Sequence, residues 1–163
     1  MNWKPTCKLW HKLTTGISIA AAAWMFWDVF CMWKIMPERL PSHYNAMGQP
    51  DAYGGKATAF ALPVVAAVLL TLMLFFRRKP QHWNFPVPVT EENRDRLYGL
   101  AYDMLHWLAL ALMLIFAPMQ YCVDHSLSLS VWFAPATIAA VFGIRLVYTI
   151  RMVKTQKRRN PPC

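Results

Sequence analysis

Four stretches of this chain, residues 13–36, 57–76, 97–117 and 127–150, are each almost wholly apolar. A bilayer core about 30 Å thick needs roughly 20 such residues at 1.5 Å rise each, so any one of these runs is long enough to cross. In lipid every backbone N–H and C=O must be satisfied internally, which leaves helices or closed barrels. No run alternates with period two, so the barrel is excluded and four helices are expected. A hydrophobic fraction of 56% in 163 residues fits this class and allows one compact unit.

The net charge of +9 would suit nucleic acid if the basic residues lined one surface. They flank the apolar runs instead, so no nucleic-acid partner is expected. Thirteen Lys and Arg fall on the side of the N-terminal arm (Lys4, Lys8, Lys12), the second loop (Arg77, Arg78, Lys79, Arg94, Arg96) and the tail (Arg151, Lys154, Lys157, Arg158, Arg159). The first loop holds three (Lys34, Arg39, Lys56) and the third none. The positive-inside rule then puts both termini in the cytoplasm, next to anionic lipids, and the loop between the first two spans outside. The expected fold is an all-α integral membrane protein, a four-helix bundle with N-in/C-in topology and a structured outer loop. It divides into a basic arm (1–12), three spans and their loops (13–120), an outer turn with the fourth span (121–150) and a basic tail (151–163). The basic arm and Ala20–Ala23 resemble a signal peptide, but the apolar stretch continues through Trp24–Trp27, too long for an h-region. It is expected to be retained.

Local signals add detail. Pro63 and Pro135 fall early in the second and fourth spans, where a missing hydrogen bond is absorbed. Thr90 followed by Glu91 and Glu92 predicts an N-cap, with a helix starting at Glu91. Pro80, Pro86 and Pro88 keep the segment before it extended. Cys7, Cys31, Cys122 and Cys163 show neither zinc spacing nor a disulfide framework. A Cys31–Cys122 bridge is conceivable, with free thiols the default. Cys163 forms no prenylation box.

Ionisable residues inside spans are costly unless they face protein or water. Asp103 and Arg145 fall at similar depth in neighbouring helices, which predicts an ion pair, with His106 one turn from Asp103 on the same face. A proton relay through Asp103 and His106 is the functional alternative. Asp28 has no basic match in a neighbouring span, so it must be protonated, hydrated or reached from the loop by Lys56 or Arg39. Haem would need a second axial ligand facing His106, and His11 and His82 read as surface residues. No cofactor is expected.

The outer loop is unusually specified. Pro37 ends the first helix, and Gly48, Pro50-Asp51 and Gly54-Gly55 mark turns. His43, Asn45 and Asp51 can satisfy its backbone. Metal ligation by His43 and Asp51, with Glu38 as a third ligand, lacks diagnostic spacing, and no metal is assigned. Tyr53 offers an amphipathic contact, and Lys56 a mobile positive charge for an acidic group.

The pattern Pro37-x-x-x-Pro41-x-His43-x-Asn45-x-x-Gly48-x-Pro50-Asp51-x-x-Gly54-x-Lys56 resembles the signature of SdpI-type membrane proteins, which carry a domain of unknown function. Asn84-x-Pro86 followed by Thr90-Glu91-Glu92-Asn93 is similar to a second element of those chains. The resemblance covers roughly residues 15 to 120 and implies a multi-pass protein of the bacterial inner membrane. SdpI itself is an immunity protein against a secreted peptide toxin and holds a repressor at the membrane. This chain has four spans where SdpI-type chains have more. The expectation is therefore a non-enzymatic membrane protein whose outer loop senses or blocks an extracellular ligand, such as a peptide toxin. The alternative is a small transporter or transporter subunit using Asp28, Asp103 and His106, which with four helices requires a homo-oligomer. No nucleophile–base pair, HExxH or phosphate loop supports an enzyme.

Overall fold

A computed structural model of the chain describes residue 3 and residues 5–157. Lys4, Arg158, Arg159 and Cys163, and the side chain of Lys157, lie outside the described residues. Four long helices form from the apolar runs: α1 (Leu9–Met32), α2 (Ala61–Phe76, led in by a 3-10 turn at Lys56–Phe60), α3 (Arg94–Asp124) and α4 (Phe133–Lys157). Each is long and apolar enough to cross a membrane. Their outward faces carry exposed Trp27, Phe30, Val68, Leu114, Phe142 and Leu146, a surface that suits lipid rather than water.

The packing centres on α3, against which α1, α2 and α4 all lie. At mid-height Ala22 and Met25 of α1, Ala66 and Leu70 of α2, and Ala109 and Met113 of α3 form one apolar cluster. Between helices in lipid there is no hydrophobic drive to associate, so small residues that let backbones approach supply the contact. Ala66 is fully buried there, and a Leu in its place would overpack the seam at a cost of about 1–3 kcal/mol. Near the chain termini, Val87 of the α2–α3 linker packs with Leu97, Leu100 and Ala101 of α3 and with Tyr148 and Met152 of α4. At the opposite end Val29, Met36, Leu40, Ala59 and Val123 close the bundle beneath the first loop.

That loop departs from a purely helical fold. Residues Arg39–Tyr44 (β1) and Pro50–Gly55 (β2) pair antiparallel, Arg39 opposite Gly55 and Tyr44 opposite Pro50, with irregular register around His43. The turn residues that marked the loop in sequence are therefore a hairpin tip and its flanks, with Leu40 and Pro41 turned into the bundle.

Three helix starts also differ from expectation, and α4 begins at Phe133, six residues after the expected Leu127. α1 begins at Leu9, because the Lys8 backbone N–H is taken up by Nδ1 of His11 at 3.0 Å, which closes the first turn before the apolar run. α3 begins at Arg94, three residues after the expected Glu91. The organising side chain there is Asn93, not Thr90: Asn93 Oδ1 accepts the Thr90 N–H at 2.8 Å and its Nδ2 donates to the Pro88 carbonyl. The amide side chain satisfies both sides of the turn, which a threonine hydroxyl could not.

Candidate functional site

Polar side chains gather in three places along the α1–α3 seam and on the hairpin above it. The first is near the chain termini. Asp103 enters the bundle from α3 and meets Nε2 of His11 at 2.8 Å and Nζ of Lys8 at 3.6 Å. Since His11 Nδ1 accepts from the Lys8 backbone, the neutral ring carries its proton on Nε2 and donates to the carboxylate. The His106 ring lies 4.3 Å from that of His11. Its Nδ1 donates to the Tyr102 carbonyl at 2.8 Å, so Nε2 is free to accept from Nη1 of Arg77 at 2.7 Å. The same Arg77 nitrogen donates to Thr15 Oγ1 at 3.0 Å. Both imidazoles are 2% exposed and every ring nitrogen has a partner. Such a chain of donors and acceptors either rigidifies a seam or passes a proton along it.

The expected Asp103–Arg145 pair is not formed. Asp103 turns to α1, which presents a buried histidine and a lysine at its depth, whereas Arg145 is exposed on α4 with no ion pair among the described residues. His11 is likewise not a surface residue. The sequence concealed it because the apolar run starts at Leu13, one turn after the helix itself.

The second place is at the hairpin end of the seam. Asp124 and Gln120 of α3 are buried, and Gln120 Nε2 donates to both Asp124 oxygens at 2.7 Å and to the Ala59 carbonyl at 3.0 Å. Asp28 of α1 is the neighbouring carboxyl, with His125 Nε2 3.9 Å from its Oδ2. The loop residues Lys56 and Arg39 do not reach Asp28. Asp124, Gln120 and His125 were missed in sequence because they fall beyond residue 117, the expected end of the third span.

The third place is the hairpin. His43 Nδ1 and Asp51 Oδ1 face each other across it at 2.5 Å, both exposed. Asn45 is structural: its Oδ1 accepts from the N–H groups of Met47 and Gln49 and shapes the tip. Gly48 sits at φ +77° and gives its carbonyl to the Leu129 N–H at 2.8 Å, so the tip is tied to the α3–α4 linker. A Cβ on Gly48 would fall within van der Waals radius of the Leu129 carbonyl oxygen. Tyr44 reinforces the tie by donating its hydroxyl to the Leu127 carbonyl at 3.2 Å. Burial, with nearby Cys122, Tyr53 and Asp124, pushes the Tyr44 phenol up to about 12. Between hairpin and helices, a cavity of about 280 Å³ is lined by His43, Tyr44, Asn45, Met119, Phe133 and Thr137, among others.

Lys56 is not the mobile charge expected of it. Its ammonium lies 3.7 Å from Glu38 and 5.3 Å from the Trp33 ring centroid, and the side chain is largely covered. Glu38 pairs with Lys56, and among the described residues it forms no metal-holding group with His43 and Asp51. Pro50 and Gly54 are strand residues opposite Tyr44 and Leu40. Tyr53 is 52% exposed, the freest large side chain of β2. Cys31 and Cys122 are free thiols.

No solved structure matches the chain. An uncharacterized protein of Archaeoglobus fulgidus is 27% identical over 129 residues, covering 71% of this chain and 70% of its own length. The family described as Domain of unknown function (DUF1648) matches residues 15–67, a stretch running from α1 through the hairpin into α2.

Proposed function

We propose that this is a non-enzymatic, multi-pass protein of a bacterial cytoplasmic membrane that recognises an extracellular peptide or toxin through its hairpin, in the manner of SdpI-type immunity proteins. Both termini face the cytoplasm and its anionic lipids, and the hairpin faces outward. The observation carrying this reading is the division of labour on the hairpin. Leu40, Pro41, Gly48 and Lys56 hold it to the rest of the bundle and Asn45 shapes its tip, whereas His43, Asp51 and Tyr53 stand exposed, His43 at the rim of the cavity. A lid that only sealed the bundle would not need an exposed, paired His and Asp.

The test is protection. Cells making the full chain are challenged with secreted peptide fractions from related strains, alongside His43→Ala, Tyr53→Ala and an empty vector. Protection by the parent, lost in either variant at unchanged membrane level, supports recognition. Loss that always tracks loss of folded protein leaves the hairpin as a structural lid.

The two buried polar clusters favour a second reading, proton-coupled transport by a homo-oligomer using Asp28, Asp103 and His106. Their separation, about 30 Å for the 21 residues from Asp103 to Asp124 at 1.5 Å each, spans a bilayer core. Proton flux into dye-loaded proteoliposomes, abolished by Asp103→Asn, would support it.

A further inference from the structure

We propose that Asp28 and Asp124 form a proton-binding site at the hairpin end of the bundle, the two carboxyl groups holding one proton between them. The site goes beyond the recognition reading and deepens the transport reading, which already uses Asp28; proton binding is read here without flux, so either can fail alone.

The argument begins with what surrounds Asp124. The residue is 1% exposed, and the Gln120 amide donates to both of its oxygens, the arrangement that suits an ionised carboxylate. Asp28 comes from α1 to within 3.9 Å of His125, the residue that follows Asp124, and is the carboxyl that neighbours Asp124; its side chain is 15% exposed, yet its buried Oδ2 has no hydrogen-bond partner. Gln120 is itself 0% exposed, and its Oε1 is a second orphaned acceptor against the same carboxylate. Two carboxyls and an amide oxygen thus meet with more acceptors than donors. Side-by-side carboxylates in a poorly solvated site do not both ionise, and one proton converts an orphaned acceptor into a donor. That proton belongs to the pair rather than to either residue.

The other groups facing the pair supply no donor within hydrogen-bond range. His125 Nε2 is 3.9 Å from Asp28 Oδ2, and its ring lies tilted against that of Tyr121. Tyr44 and Cys122 are neutral neighbours from the hairpin and α3. Lys56, on the 3-10 turn, is turned to Glu38 and Trp33. Among the described residues no set of three His, Cys, Asp or Glu could hold a metal ion, so a proton fits the site better than a metal.

Access runs one way. Asp28 and His125 are partly exposed at the hairpin end, while the cluster of Met25, Leu70 and Met113 with three alanines closes the seam toward the termini. The site therefore exchanges protons with the hairpin side only. Asp124 ends α3, and the linker that follows is the segment gripped by Tyr44 and Gly48. Ionising both carboxyls repels α1 from the end of α3 and loosens the seat of the hairpin.

The experiment is infrared difference spectroscopy of the full chain in nanodiscs, stepped in pH, with aspartate labelled by carbon-13 at the side-chain carbonyl. A protonated aspartate C=O band at neutral pH is expected, retained in Asp103→Asn and absent in Asp28→Asn. In Asp124→Asn the band at neutral pH should be lost too, since the pair that shares the proton is gone. If neither site variant folds, the labelled parent and Asp103→Asn still decide, since Asp51 is exposed and paired with His43, and Asp95 is exposed. No protonated aspartate at neutral pH, or a band lost in Asp103→Asn, overturns the proposal. So does a band removed by NaCl but not by choline chloride, which would make this a sodium site.

Discussion

His11 and Asp103, ninety-two positions apart, meet at 2.8 Å inside the α1–α3 seam, the histidine donating through Nε2 to the carboxylate. The contact fixes the rotation of both helices, because each side chain is held at its other atoms too: His11 by the Lys8 backbone, Asp103 by the Lys8 ammonium.

Removing one partner leaves the other buried without its bond, which costs about 1–3 kcal/mol. Asp103→Asn and His11→Ala should each lower stability by that order, and the double variant by less than their sum. Arg145→Gln should stay within about 0.5 kcal/mol, as for an exposed residue with no partner. Unfolding in mixed micelles reads all four. A large Arg145 effect coupled to Asp103 would restore the pair the sequence suggested.

The hydrogen bonds assign opposite tautomers to two adjacent rings: His11 protonated on Nε2, His106 on Nδ1. Nitrogen-15 spectra of histidine-labelled protein, with the five histidines assigned by single substitution, should show these two tautomers for His11 and His106. Arg77→Lys should perturb the His106 signal and cost about 1 kcal/mol, since the shorter lysine side chain must carry its nitrogen to the place where Arg77 Nη1 donates to Thr15 and His106 together. Identical tautomers would break the proposed order of the network.

Two hairpin glycines should fail for different reasons. Gly48→Ala is strained by φ +77° and by the Leu129 carbonyl, and a loss of about 1–3 kcal/mol is expected without rescue. Gly54→Ala meets Thr58 Cγ2 at 2.6 Å, a single methyl group. Thr58→Ser removes that methyl and keeps a hydroxyl for the Gly55 carbonyl, so it should recover part of the Gly54→Ala loss in thermal melts.

Tyr44 should ionise near pH 12 rather than 10, read by phenolate absorbance against Tyr44→Phe. A folded pKa above the unfolded one favours the protonated fold. The contribution is whole below about pH 10 and is lost as pH rises toward 12.

Orientation is tested by labelling in a cysteine-free background. A cysteine at Gln49 should react in intact cells, and one at Gln156 only after permeabilisation. Reaction of both from the same side would overturn the proposed topology.

What the sequence determined alone is the helical count and the special status of the first loop. Length and unbroken hydropathy decide whether a backbone can be satisfied in lipid, and both are local properties. The glycines and prolines between Pro37 and Lys56 announced turns for the same reason. The sequence also marked Asp28, Asp103 and His106 as misfits in apolar runs, though not what each would meet. Partners depend on how neighbouring helices rotate and shift, and a hydropathy window is blind to rotation. Thus Asp103 chose His11 over Arg145, Lys56 was covered by Trp33 and Glu38, and Asp124 joined Asp28 only because α3 continues seven residues past its expected end. The hairpin's strands were hidden too, since six-residue strands carrying prolines and glycines lack alternation and pair only because the bundle beneath buries Leu40 and Pro41.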